Sequence, residues 1–291
     1  MAEAFEFTKT LHHDTYDLIS PSKADLAGRI VLITGASRGI GRALAISYTQ
    51  ARASGIILAA RGDLSQTQDA ISKAAKDAGL PEPKVLPLMV DVTSQSSVEA
   101  AATEVSTHFP EGIDIIVSNA GLLEKVTPLA EANVDEWWSS YEVNTKGPFL
   151  ISRSFLPLLL KKPSGLKSIA IITSIGALMV LPGMSAYNNA KLASMRLAEY
   201  IQLEYGSQGI VAFSLHPGGV DTDLARNLDS SMHAMLTETP ELAADTVVWL
   251  TGERREWVGG RFVNTQWDMG EFEGKKAEIV EKGLLTVGVK F

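Results

Sequence analysis

The chain has 291 residues, 45% of them hydrophobic and 21% charged, with a formal net charge of −8. That length and composition predict one domain with a sizeable core. The acidic balance argues against nucleic acid or an anionic membrane as partner, since both reward clustered Lys and Arg. The absence of cysteine excludes disulfides, thiol nucleophiles and cysteine-based metal sites.

Residues 1–25 lack the basic and apolar segments of a secretory signal. They read as an N-terminal extension with little expected order, and the expected location is cytoplasmic. Apolar runs of strand length then follow at 29–34, 55–60, 84–90, 113–118, 167–173, 210–216 and 260–264. Between them lie Ala-rich, mixed-polarity stretches such as 65–78, 95–109 and 185–207, long enough for helices and free of proline. Continuous Val/Ile-rich runs indicate strands buried on both faces, and their alternation with helices indicates right-handed βαβ units. The expected fold is α/β: a Rossmann-type, doubly wound parallel sheet of about seven strands in a single domain over 26–265, followed by a C-terminal extension, 266–291. The most apolar stretch, 168–184, is too short and too interrupted by Gly and Pro to span a bilayer.

The first strand leads into "LITGASRGIGRALA" (32–45), which fits two motifs. "GASRG" matches G-x-S-x-G, the turn that exposes a hydrolase serine. That elbow follows several strands, however, with Asp and His after it, whereas Ser37 follows the first strand. A serine that caps the next helix is the plainer reading. The alternative is a phosphate-binding loop, in which Gly35, Gly39 and Gly41 permit a tight turn and close backbone approach. A helix starting near Gly39 then turns its free N–H groups toward a pyrophosphate. Twenty residues after Gly41, where an acid would take the ribose hydroxyls, stands Arg61 in "LAARGD". With Arg38 inside the loop, two guanidiniums suit a 2′-phosphate. This favours NADPH/NADP+ over NADH, although Asp63 lies only two residues on.

A nicotinamide cofactor calls for a group that protonates a carbonyl oxygen. In "SAYNNAKLASMRLAEYIQLEYG" (185–206), Tyr187 and Lys191 stand one helical turn apart on one face. The lysine is expected to lower the phenol pKa toward the working range. Ser174 closes the strand 167–173 at the rim where ligands bind in open α/β sheets, and "SNAG" (118–121) closes another strand there. If 134–160 is one helix, Pro148 leaves the carbonyl of Asn144 without its usual donor. Beside the rim, that carbonyl is placed to hold a water on a proton path toward Lys191.

Together these pieces resemble the short-chain dehydrogenase/reductase family over about residues 26–265. "TGASRGIG" is similar to its cofactor loop (Gly35, Ser37, Arg38, Gly39, Ile40, Gly41), "SNAG" to its N-A-G motif (Asn119, Ala120, Gly121) and "YNNAK" to its Y-x-x-x-K. Asp91 and Val92 resemble its adenine-contacting pair, and "HPGGVDT" (216–222) its P-G-x-V-x-T segment, with Pro217, Gly218, Val220 and Thr222 toward the nicotinamide. The resemblance implies a catalytic tetrad of Asn144, Ser174, Tyr187 and Lys191. In it Tyr187 is the acid/base for hydride transfer at nicotinamide C4, Lys191 also holds the nicotinamide ribose, and Ser174 steadies the oxyanion. The chain departs from the family where "FVNTQWDMGEFEGKK" stands in place of a D-G-G-like turn, and in its N-terminal extension.

Leu224, Leu228, Met232, Met235 and Leu236 recur at helical spacing in a substrate lid over about 221–245. Methionines make an adaptable apolar wall, so a hydrophobic ketone or aldehyde, or the matching alcohol, is the expected small-molecule substrate. His233 is expected at the surface, and the histidines form no metal motif. Apolar surface on 134–160, with Trp137 and Trp138, suggests a homodimer or homotetramer. An NADPH-dependent carbonyl reductase leads. A non-catalytic nucleotide-binding protein and a serine hydrolase using Ser37 are the alternatives.

Overall fold

Seven apolar runs form one parallel sheet in the order β3-β2-β1-β4-β5-β6-β7. The computed structural model describes residues 6–288. The strands are β1 (Ile30–Thr34), β2 (Gly55–Ala60), β3 (Lys84–Met89), β4 (Ile115–Ser118), β5 (Ser168–Ile172), β6 (Val211–His216) and β7 (Phe262–Asn264). The helices are α1 (Gly39–Gln50), α2 (Ser65–Asp77), α3 (Gln95–His108), α4 (Val134–Tyr141), α5 (Gly147–Leu160), α6 (Ser185–Tyr205), α7 (Pro240–Gly252), α8 (Met269–Gly274) and α9 (Lys276–Glu281). No described helix is long and apolar enough to cross a membrane.

Strands β2, β4, β5 and β6 are buried along their whole lengths, because helices cover both faces of the sheet. On β1, Val31 and Ile33 enter the core on one face and Leu32 the core on the other, following the period-two alternation of a strand. The edge strand β3 instead exposes Lys84, Pro87 and Met89. An edge is where a proline, lacking a ladder donor, is tolerated. Helices begin where the sequence supplies an oxygen for the orphan N–H groups: Ser94 for α3, Asn133 for α4, Thr239 for α7 and Asp268 for α8. The order of strands reverses direction between β1 and β4, and the carboxyl ends of these strands open there into a crevice.

Three expectations need correcting. The single kinked helix over 134–160 is two helices, α4 and α5, joined by a π turn at Glu142–Lys146, in which Gly147 N–H donates to the Glu142 carbonyl. The wider turn absorbs the break that Pro148 would impose on an α-helical ladder. The lid is not one amphipathic helix either: it holds two short 3-10 turns, Ala225–Asn227 and Ser230–Met235. The N-terminal extension, finally, packs on the body over its described residues, 6–25. Ile19 is buried in the main core, Leu11 forms an antiparallel bridge with Trp267, and His12 N–H donates to the Gln266 carbonyl at 2.7 Å. Trp267 is fully buried and packs on Phe7, Phe262 and Phe272. The segment that departs from a D-G-G turn therefore folds back over the body. Residues 1–5 and 289–291 of the two extensions lie outside the described residues.

Candidate active site

A cleft of about 1210 Å³ lies at the carboxyl ends of the strands. Gly35 through Gly41 form its floor on one side, except that Ala36 is fully buried behind it. Gly35 has φ +66, and a Cβ there would stand 2.9 Å from both Ala120 Cα and Asn119 Nδ2. The loop after β1 and the loop after β4 are thus in backbone contact. Asn119 holds them together: its Nδ2 donates to the Thr34 carbonyl at 2.9 Å, and Thr34 Oγ1 accepts the N–H groups of Asn119 and Ala120, each at 3.0 Å. Gly41 fits only as glycine, since a Cβ would lie 2.1 Å from the Gly35 carbonyl oxygen.

Ser37 does not cap α1. Arg38 occupies the N-cap position, and no side chain accepts from the first turn. The positive end of the helix therefore meets the cleft uncapped, the condition for holding an anion. The Ser37 carbonyl accepts from Arg42 Nη2 at 2.7 Å, a contact that braces the loop and that the sequence did not single out.

Arg38 and Arg61 both line the cleft and both side chains reach solvent. Arg38 Nη1 donates to Asp223 at 2.6 Å, linking the glycine loop to the lid. The Asp63 carboxylate is occupied by the N–H and hydroxyl of Ser65, which hold it below the usual carboxylate range. Asp63 nonetheless lines the cleft beside Arg61 as an anion. Asp91 is likewise held low, first by the Thr93 N–H and hydroxyl, then by the charges of Arg61 and Lys146. Val92 packs on Gly147.

Across the cleft stand Ser174, Tyr187 and Lys191. Ser174 opens a 3-10 turn, Ile175–Leu178, and its hydroxyl accepts the Gly176 N–H at 3.1 Å. Tyr187 and Lys191 sit on successive turns of α6, with Nζ 5.7 Å from the ring centroid. Lys191 is buried, its Nζ donates to the Ile172 carbonyl at 2.9 Å, and burial lowers its pKa to about 8. The Tyr187 phenol departs from expectation. Burial pushes it up to about 12, the adjacent Ser174 hydroxyl pulls it down, and the Glu124 charge pushes it up again. Desolvation of the phenolate dominates, and Lys191, itself desolvated, stands 5.7 Å from the ring.

Asn144 is buried on the π turn and does not line the cleft. Its side chain grips Leu122, donating to the carbonyl at 2.7 Å and accepting from the N–H at 3.1 Å, and so fixes the chain just after Gly121. Its Nδ2 also donates to Ser140 Oγ, which donates to Glu124, and Glu124 accepts the Tyr187 N–H at 3.0 Å. Glu124 thereby ties Asn144 to the start of the tyrosine helix. Nothing in the spacing of the sequence marks it.

The third wall is the segment after β6. Pro217, Gly218, Val220 and Thr222 line the cleft, and Thr222 meets Gly39. His216 also lines it. It is buried, its Nδ1 has no partner among the described residues, and burial lowers its pKa to about 4. Leu224, Leu228, Met232, Met235 and Leu236 close the cleft from the lid, opposite Leu123, Met179, Leu181 and Met184. His233 is exposed, as expected. No group of three or more metal-ligating side chains occurs among the described residues.

Residues 29–233 match the family model for short chain dehydrogenases. A short chain dehydrogenase of Monascus purpureus is 46% identical over 283 residues, 97% of this chain and 96% of that one. One from Emericella variicolor is 38% identical, covering 98% and 97%. Among solved structures, a short chain dehydrogenase of Shigella flexneri complexed with NADP is 27% identical with a TM-score of 0.72, over 84% of this chain and 100% of that one. A short chain dehydrogenase of Escherichia coli complexed with NADPH is 25% identical with a TM-score of 0.70, over 83% and 98%.

Proposed function

The chain belongs to the short-chain dehydrogenase family, and from that premise we propose that it is an NADPH-dependent reductase of hydrophobic ketones or aldehydes. The observation that carries this reading is the meeting of the glycine loop, with its uncapped helix, and Ser174, Tyr187 and Lys191 in one cleft at the switch point of the sheet.

The cleft suits a dinucleotide. Close packing of Gly35 on Ala120, the free N-terminus of α1 and the arginines at the rim provide a narrow backbone cradle and positive charge for phosphates. Arg38 and Arg61 are assigned to the 2′-phosphate, Asp91 and Val92 to the adenine end, and Asn119, Ala120, Gly121, Lys191, Val220 and Thr222 to the nicotinamide end. When bound, the nicotinamide supplies hydride at C4. Tyr187, whose phenol burial pushes up to about 12, donates its proton to the substrate oxygen. Ser174 orients that oxygen and steadies its developing charge. The ammonium of Lys191 stabilises the phenolate that remains, and Asn144 holds the Leu122 segment against which the site is built. The methionine- and leucine-lined wall selects an apolar substrate body.

Two titrations test the reading, NADPH and NADH against the purified chain. NADPH is expected to bind at least about tenfold more tightly, a margin that two charge-assisted phosphate contacts readily supply. Arg61→Ala should remove most of it. Equal affinities overturn the arginine assignment, and binding of neither overturns the enzyme assignment. We assign a homo-oligomeric state to the same reading, on the exposed apolar residues Val134, Trp138, Phe149 and Leu203 of α4, α5 and α6.

A further inference from the structure

Glu238, whose carboxylate is buried, grips Gly219 at both of its backbone groups. Its Oε2 accepts the Gly219 N–H at 2.6 Å, and its own N–H donates to the Gly219 carbonyl at 3.1 Å. Gly219 stands where the chain leaves β6 for the lid, and Glu238 where the chain returns to α7, so this one residue closes the base of the loop 220–237. Gly218, at φ +85, packs so closely that a Cβ there would lie 2.8 Å from Glu238 Cγ. The carboxylate side chain is only 1% exposed, and a buried charge of this kind requires several donors. Thr237 Oγ1 and Gln266 Nε2 donate to Oε1 at 2.7 and 3.0 Å, and His13 Nδ1 meets the same oxygen at 2.5 Å.

His13 belongs to the N-terminal extension. Its carbonyl accepts the Thr239 N–H at 3.0 Å, next to the residue its ring contacts, and Asp14 accepts from Thr239 Oγ1 at 2.7 Å. The strap is pinned in turn by the His12–Gln266 and Leu11–Trp267 backbone contacts. Both the strap and Glu238 lie outside residues 29–233, the part matched to the family model.

The geometry points to Glu238 as a positioning residue for the nicotinamide end of the cleft, held in place by the N-terminal strap through His13. This rests on the nucleotide reading above. The clasp fixes the segment carrying Val220 and Thr222 from the side away from the phosphate loop, which that segment meets only further on, where Thr222 packs on Gly39 and the exposed Asp223 pairs with Arg38. Loosening it weakens the full dinucleotide more than its adenosine end, which the segment reaches only through the exposed Arg38–Asp223 pair and the Thr222–Gly39 contact.

The test compares NADP+ with adenosine 2′,5′-bisphosphate, which carries the adenosine end alone, by calorimetric titration of the full chain. His13→Ala is expected to weaken NADP+ about threefold and Glu238→Ala on the order of tenfold, the scale of one lost hydrogen bond to a charged group. Adenosine 2′,5′-bisphosphate binding should fall by less than about twofold, and His13→Gln, which keeps a donor, should restore NADP+ affinity. In the ligand-free protein, amide exchange over 217–222 should accelerate in His13→Ala while that of β1 and β2 stays constant. Parallel loss of both ligands, or unchanged exchange over 217–222, overturns the clasp. A wild-type chain that binds neither ligand overturns the nucleotide reading, and the clasp with it.

Discussion

Substituting Gly41 by alanine isolates the role of the loop between β1 and α1. The new Cβ would stand 2.1 Å from the Gly35 carbonyl oxygen, against the 3.4 Å at which ordinary contact begins, a shortfall of about 1.3 Å. Neither side can yield cheaply. Gly35 is held at φ +66 by its packing on Ala120, and Gly41 is already inside the first turn of α1. Overpacking of this kind costs about 1–3 kcal/mol, while alanine returns up to about 1 kcal/mol of helix propensity. The net loss of stability is therefore at most about 3 kcal/mol, a fall of no more than about ten degrees in Tm. Nucleotide affinity should fall much further, by at least about tenfold, because the turn must open by more than an ångström where backbone meets phosphate. The assay is a thermal melt and an NADPH titration, with Gly62→Ala as control. Gly62 lines the same cleft, yet a Cβ there would meet nothing within 4 Å. A Gly41→Ala protein that melts and binds like wild type refutes the steric argument.

Tyr187→Phe should lower turnover of any ketone the wild type reduces by at least about a hundredfold, the usual range for losing a general acid. NADPH affinity, measured on the same sample, should be retained; a variant as active as wild type would return the chain to the non-catalytic reading. His216 makes a prediction on the acid side. Its pKa is lowered from 6.5 to about 4 by burial, so the unfolded chain takes up a proton that the folded one refuses. Stability should fall as pH drops from 6.5 to 4, by up to about 3 kcal/mol from this group, and His216→Asn should show a shallower fall in chemical denaturation. Identical slopes would show that His216 does not titrate in this way. Light scattering should find a wild-type oligomer, reduced to monomer by Trp138→Glu with Phe149→Glu, both at exposed positions. A monomeric wild type rules out that surface as a subunit contact.

Much of this was legible from residue order alone. Continuous Val/Ile runs can be satisfied only by strands covered on both faces, so the alternation at β1, β2, β4, β5 and β6 determined a parallel α/β sheet. The motifs sit at strand ends, and a parallel sheet brings those ends to one rim, so Gly35–Gly41, Ser174, Tyr187 and Lys191 meet in one cleft. Local spacing also sets the one-turn separation of Tyr187 and Lys191.

Tertiary structure decided what depends on burial and on distant partners. The rise of the Tyr187 phenol comes from desolvation, a property of the packed cleft and not of the Tyr-Lys spacing. Asn144 acts on Leu122 through a π turn whose register no periodicity reveals. The lid became two 3-10 turns because its leucines and methionines cover a cleft instead of packing along one continuous stripe. Glu238 and His13 are separated by most of the chain, and neither belongs to a motif. Only the return of the N-terminal strap to the rim, beside Trp267, sets a buried carboxylate under the loop it holds.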